Sequence, residues 1–526
     1  MFRFAVCAVL VLAVLLPGAA PASALEAMEK EGHWGYSVNE AVGAPAREDG
    51  SFAGAGSRLA NVEAGVPCLE HVMLRWLPRD CVFTGPGASA PVQPHPTAVS
   101  YVMVGRSPDG DVRFSGLAPG AEFRAGTFVV PGEGKQPFTM SSLLGAFMRA
   151  FEWADVVNTS WGSVTSPGAY EYYSDVMDAL CAAYPQSLFV VAAGNTNSPR
   201  WEGSRGKVSQ IASGFNNVSV GALGHAPAFD RLTENSARLP LEVVLPDGRV
   251  AGRRAGVDLC APGEFMRCAA CPEGPHAEHD RFLTATGTSV AAPVVAGCAA
   301  LLHARARELG QPAEVHDARV MKALLLAGTR VLPGWSNGAD AAGVTRRGLD
   351  DAFGAGALDA GASLRMLEEG CWRSLRVGEA PCTVDLGVHE AGSELTVALC
   401  WFVPTRLPLL DGVASAADLP GSLPSRPELV CGPLPHATLE LRCEGRRVGL
   451  CDAELSPTQF LRLRLPRTGR CSLVVVRRAD VPRGGEVGAS KELAGSPLLC
   501  GLAWKVTPPE LADGERQDEA SAEEPR

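Results

Sequence analysis

Positive charge in excess is what this 526-residue chain most plainly lacks: 47 Lys and Arg stand against 58 Asp and Glu, a formal net charge of -11. An acidic chain with no basic stripe offers no electrostatic footprint for phosphates, which excludes nucleic acid as the main partner. Long apolar runs are missing beyond the first two dozen residues, and no later stretch is long enough to span a bilayer without charges or breakers, so stable membrane insertion is not expected. There is no internal repeat. The one CxxC, Cys268 and Cys271, has no second CxxC to complete a zinc site. Aromatic residues make up only 6% of the chain, yet 46% is hydrophobic, ample for a large core and for two or more domains.

What the N-terminus does contain is "MFR", an apolar run "FAVCAVLVLAVLL" and the small-residue site "PASA" ending at Ala24. A basic start, a short apolar segment and small residues before the cut are the marks of a signal peptide. The mature protein is expected to be exported and soluble, either secreted or periplasmic. Of 16 cysteines, Cys7 leaves with that peptide, so 15 remain. Cys298 lies in an apolar helical stretch as a small hydrophobe, and the other fourteen could pair in an oxidising compartment. Cys68 with Cys81 and Cys443 with Cys451 are expected as local pairs, and Cys260 is expected to join the CxxC in a disulfide loop.

From about residue 57 to 369 apolar runs alternate with helical patterns. "RLANVEAG", "FRAGTFVV", "DVVNTSWG", "SLFVVAAGN", "NVSVGAL" and "GVDLCAPG" read as strands, several continuous in the manner of parallel strands buried on both faces. "PFTMSSLLGAFMRAFEWA" and "YEYYSDVMDALCAAY" read as helices between them. The alternation predicts an α/β fold, a doubly wound parallel sheet flanked by helices. After residue 370 short runs with period-two alternation predict a cysteine-rich β-sandwich over 370–506, interrupted by a proline-rich loop from 404 to 437. Residues 25–56 are expected to form an N-terminal extension, and the charged tail 507–526 to lack order.

The stretch "LTATGTSVAAPVVAGCAALL" places Ser289 between a small-residue turn and an apolar helix. Gly287 permits a tight turn, the helix N-terminus supplies unpaired N–H groups, and Pro293 is expected in the first helical turn. Alone, such a serine reads first as the cap of a buried helix. Three more stretches bear on it. "LFVVAAGNTN" ends an apolar strand at Gly194 and Asn195, an amide placed to donate to an oxyanion. "DVVNTSWG" ends in Ser160, Trp161 and Gly162. "HPTAVSYVMVG" opens a helix with His95.

Together "GTSVAAPVVAG", "AAGN", "SWG" and "HPTAVSYVMVG" followed by "GLAPGAEF" resemble the motifs of the subtilisin-like serine proteases, over roughly residues 57–365. The resemblance implies a serine endopeptidase acting on protein or peptide substrates, with no cofactor and no metal and with an oligomeric state left open. It implies Ser289 as nucleophile, His95 as general base and Asn195 in the oxyanion hole. Ser160, Trp161, Gly162, Ala193 and Gly194 would line the substrate groove. Two departures stand out. The family's His-Gly-Thr-His is His95-Pro96-Thr97-Ala98 here, and the strand that should end in Asp-Thr/Ser-Gly ends in Glu63-Ala64-Gly65. Glu63 lies about as far before His95 as the family's aspartate lies before its histidine, and His71 follows it as a histidine often follows that aspartate. Glu63 is therefore assigned as the acid that orients His95, ahead of Asp80 and Asp109, neither of which follows an apolar strand. Residues 25–55 are short for the family's inhibitory propeptide domain. The family's common calcium site is not expected, because His71 is followed by Val72-Met73-Leu74. His276 and His279 read as a solvated loop rather than a metal pair. The departures also leave room for an exported binding protein that keeps the scaffold without the chemistry. A serine-carboxyl protease is disfavoured, because it would use an aspartate where Asn195 stands and would need no histidine.

Overall fold

The computed structural model describes residues 37–44, 53–108, 110, 114–132, 138–162, 170–197, 204–245, 247–271, 279–482 and 497–509. The leader, most of the N-terminal extension, Asp109, His276 and nearly all of the acidic tail lie outside the described residues.

Seven parallel strands form the central sheet. In chain order they are β1 (Arg58–Glu63), β2 (Val82–Thr84), β3 (Glu122–Thr127), β4 (Val156–Thr159), β5 (Leu188–Ala192), β6 (Val218–Gly224) and β7 (Leu259–Pro262), and their order across the sheet is β7-β6-β5-β4-β1-β3-β2. A short antiparallel strand, Arg231–Leu232, adds to β6. The six apolar runs read from the sequence are six of these seven strands. In β5 every residue of LFVVA is buried, because helices cover both faces. Those helices are α1 (Pro94–Val104), α2 (Met140–Trp153), α3 (Tyr170–Ala183), α4 (Thr288–Glu308), α5 (Ala318–Gly328) and α6 (Ala360–Glu368). Short polar side chains start three of them: Thr139 and Ser142 form a reciprocal capping box at α2, Asp317 accepts from Arg319 N at α5, and Asp359 accepts from Ala362 N at α6. Helix α4 is long and apolar enough to cross a membrane by composition, but it lies in the core, with 94% of its most apolar window buried.

From β1 the chain goes to the edge strand β2, returns to insert β3 beside β1, and then builds outward on the other side (β4 to β7), so the winding reverses between β1 and β4. Ligand sites of open α/β sheets lie beyond the carboxyl ends of strands at such a reversal. Glu63 ends β1, and Ser160 directly follows β4.

At the opposite edge of the sheet, Asp155 holds the amino ends of β1 and β4 together. It accepts from Arg58 N at 2.8 Å and from Arg307 Nη1 and Nη2 at 2.7 and 2.6 Å. Beside it His303 and His316 stack with ring centroids 5.1 Å apart and Nδ1 atoms 2.9 Å apart. Burial, with His316, Arg307 and Arg58 nearby, drives the His303 pKa down to about 3 despite the Asp155 charge. A base held neutral in the native state binds its proton only on unfolding. Its contribution is therefore present above the unfolded value of about 6.5 and is lost as pH falls below it, by about 1.4 kcal/mol per pH unit. His303→Gln should flatten the fall in urea-unfolding stability between pH 6.5 and 5. An equally steep fall in the variant would show that the acid sensitivity lies elsewhere.

The C-terminal part is two facing antiparallel sheets. Its strands are β8 (Trp372–Val377), β9 (Cys382–His389), β10 (Glu394–Trp401), β11 (Ala437–Cys443), β12 (Arg446–Cys451), β13 (Thr458–Arg464), β14 (Gly469–Arg477) and β15 (Leu498–Thr507). One sheet runs β8-β15-β10-β13; the other runs β12-β11-β14-β9, with Val344–Thr345 added outside β12. Leu395, Val397 and Leu399 of one sheet and Leu439, Leu441, Leu473 and Val475 of the other form the core between them, as alternation predicts.

This module is not suspended on a linker. Helix α5 packs against β15 and β10, and Gly501 lets the β15 backbone come so close that a Cβ there would lie 2.2 Å from the Arg319 carbonyl. Arg462 on β13 donates to the Thr329 carbonyl at 2.8 Å and the Ala355 carbonyl at 3.1 Å. The proline-rich stretch wraps back over α2 and α3: Tyr172 Oη donates to the Pro427 carbonyl at 2.9 Å, and Ala416 N donates to Glu152 at 2.7 Å.

The expected pairing of Cys443 with Cys451 is not compatible with the strand register. Cys451 stands opposite Leu439, whereas Cys443, at the far end of β11, stands opposite Arg446. Four residues of extended chain separate them by about 13 Å, beyond the reach of a disulfide.

Candidate active site

Helix α1 begins Pro94-His95-Pro96. Neither proline removes a needed bond, since N–H groups of a first turn have no helical partner. His95 is thereby held just inside the helix start, 9% exposed. Its Nδ1 lies 3.2 Å from Glu63 Oε2. The other carboxylate oxygen, Oε1, accepts from Ser160 N at 2.8 Å. Glu63 is 2% exposed, so its charge is shielded from water and met by two donors instead. With Nδ1 facing a carboxylate, the tautomer carries its hydrogen there and leaves Nε2 as the acceptor. Nε2 is buried and has no hydrogen-bond partner among the described residues.

Ser289 is the second residue of α4 and is 5% exposed. Pro293 lies in the second helical turn, not the first as the sequence suggested. The position has a physical consequence. A helical residue 293 would donate to the carbonyl of residue 289, and proline cannot. The Ser160 hydroxyl donates to that carbonyl instead, at 2.9 Å. Ser160 therefore holds the acid with its backbone and the nucleophile's peptide with its side chain. The sequence reading placed Ser160 only along the substrate groove. The missing donor at Pro293 was the signal that could have shown its second task.

Asn195 follows Gly194, whose φ of 116° favours glycine. Its Oδ1 accepts from Thr288 N at 2.9 Å and from Thr288 Oγ1 at 3.2 Å, and Thr288 Oγ1 in turn accepts from Gly194 N at 3.0 Å. Because a backbone N–H can only donate, the amide orientation is fixed, and Nδ2 is the end available to another acceptor. Gly287 (φ 151°) sits against that end: a Cβ there would lie 2.8 Å from Asn195 Nδ2. Both the backbone and the close approach require glycine.

The remaining assigned residues flank this network. Ala193 is fully buried, its carbonyl accepting from Ser209 N at 2.7 Å. Gly162 approaches Ser209 so closely that a Cβ would lie 2.7 Å from its Oγ. The Trp161 ring packs with Phe128 (4.8 Å) and Phe138 (5.5 Å) and is 8% exposed. His71 is fully buried; its Nε2 donates to the Arg281 carbonyl at 2.8 Å and its Nδ1 accepts from Met73 N at 3.2 Å. Burial lowers its pKa, consistent with a neutral ring that ties the chain after β1 to the segment leading into α4. Asp80 is exposed in a short turn at Arg79–Cys81 and takes no part. No group of three or more His, Cys, Asp or Glu able to hold a metal occurs among the described residues.

A sequence model described as the subtilase family matches residues 84–356, more than half of the chain. The chain belongs to the subtilase family. Solved structures similar to this subtilase include the serine protease of Aeromonas sobria (15% identity, 86% of this chain and 89% of that one, TM-score 0.43). They also include fervidolysin from Fervidobacterium pennivorans, a keratinolytic enzyme related to subtilisin (18% identity, 82% of this chain and 52% of that one, TM-score 0.42). A third is the prenylagaramide maturation protease PagA (21% identity, 59% and 93%, TM-score 0.40). The family is that of subtilisin-like serine proteases, whose substrates are proteins or peptides, and the α/β domain with its added C-terminal sheets accords with it.

Proposed function

We propose that this subtilase is an exported serine endopeptidase whose triad is Ser289, His95 and Glu63, with Asn195 as oxyanion donor. The observation that carries the reading is the Glu63 carboxylate bridging His95 Nδ1 and Ser160 N, with His95 Nε2 buried and without a hydrogen-bond partner among the described residues. His95 Nε2 takes the Ser289 proton as Oγ attacks the peptide carbonyl. Glu63 stabilises the imidazolium so formed, and Asn195 Nδ2 with the backbone N–H at the start of α4 meets the oxyanion. His95 then protonates the leaving amine, and water, activated by the same ring, hydrolyses the acyl-enzyme. Glutamate carries the same charge as aspartate on one more methylene. With the Trp161 ring turned into the aromatic cluster, the backbone of 160–162 and of 193–194 is left to line the substrate. The division into a catalytic domain (57–369) and a sandwich (370–506) belongs to the same proposal, as does export through cleavage after Ala24.

The test is labelling of the mature protein with a fluorophosphonate probe. Wild type should label, Ser289→Ala should not, and Glu63→Ala should label more slowly. Absence of labelling in folded wild type, once a masking segment is excluded, would favour the second reading, a scaffold that binds without chemistry; the departure at Glu63 is the observation on its side.

Asn195→Ala should lower kcat by about 100- to 1,000-fold, the usual cost of one oxyanion donor. Unchanged turnover on a chromogenic peptide would remove Asn195 from the mechanism.

A further inference from the structure

Most of the fifteen cysteines after the leader are buried. For cysteines on paired strands, the register decides which stand opposite each other. Cys382 stands opposite Val475, Cys400 opposite Thr458 and Gly501, Cys431 opposite Thr405, Cys451 opposite Leu439, and Cys500 opposite Trp401. Cys400 and Cys500 lie on neighbouring strands but leave on opposite faces, one into the core shared with α5 and the other into the sandwich. Among the described strand pairings, one places cysteine against cysteine: Cys443 on β11 and Cys471 on β14.

The local hydrogen bonding specifies the kind of pair. Glu444 N donates to the Arg470 carbonyl at 2.9 Å. The residues flanking the pair are therefore bonded to each other, which makes Cys443 and Cys471 a non-hydrogen-bonded pair. In such pairs Cα atoms lie about 4.5 Å apart with side chains close, inside the range a disulfide spans. Both side chains point inward beside Leu441 and Leu473, and both are fully buried. Each thiol donates weakly to a nearby carbonyl, Cys443 to Arg467 and Cys471 to Gly469, both at 3.6 Å.

We propose that Cys443 and Cys471 form a disulfide that crosses β11 and β14 and encloses β12 and β13. The bond is made by thiol–disulfide exchange with an oxidised dithiol protein or a small-molecule disulfide. One cysteine thiolate attacks the oxidant's disulfide, the second displaces the reduced sulfur, and the oxidant leaves as two thiols carrying the two electrons and two protons. Since buried thiols are unreactive, exchange must precede closure of the sandwich during folding.

The experiment is refolding of the reduced mature protein in a glutathione redox buffer, trapping of remaining thiols with an alkylating agent under denaturing conditions, and peptide mapping without reductant. A peptide pair joined through Cys443 and Cys471 is expected; it should be absent in Cys443→Ala and kept in Cys451→Ala. Dithiothreitol should lower the melting temperature of wild type by more than that of Cys443→Ala. Recovery of both residues as alkylated thiols in the refolded protein, or a Cys443–Cys451 peptide, overturns the pairing. The same map on protein taken from the producing cells separates the two proposals. If the bond forms on refolding but is missing there, the pairing stands and the export reading fails.

Discussion

Glu63→Gln should reduce kcat by about 10⁴-fold while leaving the fold and KM close to wild type, the loss seen when the orienting carboxylate of a serine-protease triad becomes an amide. The direction of the amide in the mutant is set by Ser160. Its N–H, which now donates to Oε1 at 2.8 Å, can donate only to the amide oxygen of the variant. The new NH₂ must then face His95 Nδ1, 3.2 Å from Oε2 today. A donor there forces Nδ1 to be bare and moves the imidazole hydrogen to Nε2, the atom that has to receive the Ser289 proton. Side-chain volume is unchanged, so melting temperature should shift little. The measurement is kcat on a chromogenic peptide beside thermal unfolding. A folded variant within about tenfold of wild-type kcat would show that Glu63 is not the orienting acid.

A chain ending at residue 369 should fail to fold into a soluble enzyme. Helix α5 is buried on all sides, Val320, Leu324 and Leu325 being fully covered, and part of that cover is β15 and β10. Each large aliphatic side chain returned to water costs about 1.5–3 kcal/mol, so a few together are comparable to the 5–15 kcal/mol by which a typical domain is stable. The cut also removes Arg462, which donates to the carbonyls of Thr329 and Ala355, and Val403, whose N–H and C=O are both bonded by Asn216 at 2.7 and 3.0 Å. Expression of residues 25–369 beside the full mature chain, read by soluble yield and by cooperative unfolding, checks this. A soluble, cooperatively folded fragment would make the sandwich an accessory module.

Parallel strands buried on both faces write themselves as unbroken apolar runs, so β1 and β3 to β7 were legible from residue types. Strand β2 was not. It has three residues, all half-buried, too few for any period to register. The sandwich strands were legible through alternation, but their partners were not. Cys443 and Cys451 are near in sequence and apart in the sheet, whereas Cys443 and Cys471 are distant in sequence and face each other. Pairing is decided by which strands become neighbours, a long-range outcome that local pattern does not encode.

The same division runs through the site. Residue chemistry and spacing alone determined that a serine opens the apolar helix α4, that a histidine opens α1, that an amide stands shortly after β5 and a carboxylate ends β1. Only the tertiary structure decided that the carboxylate reaches two donors at once, and that a hydroxyl after β4 takes the carbonyl left open by Pro293. Local sequence can specify where an element starts and which side chain stands at its end. Distances between ends of different strands depend on winding order and helix packing, and these exist only when the whole chain has folded.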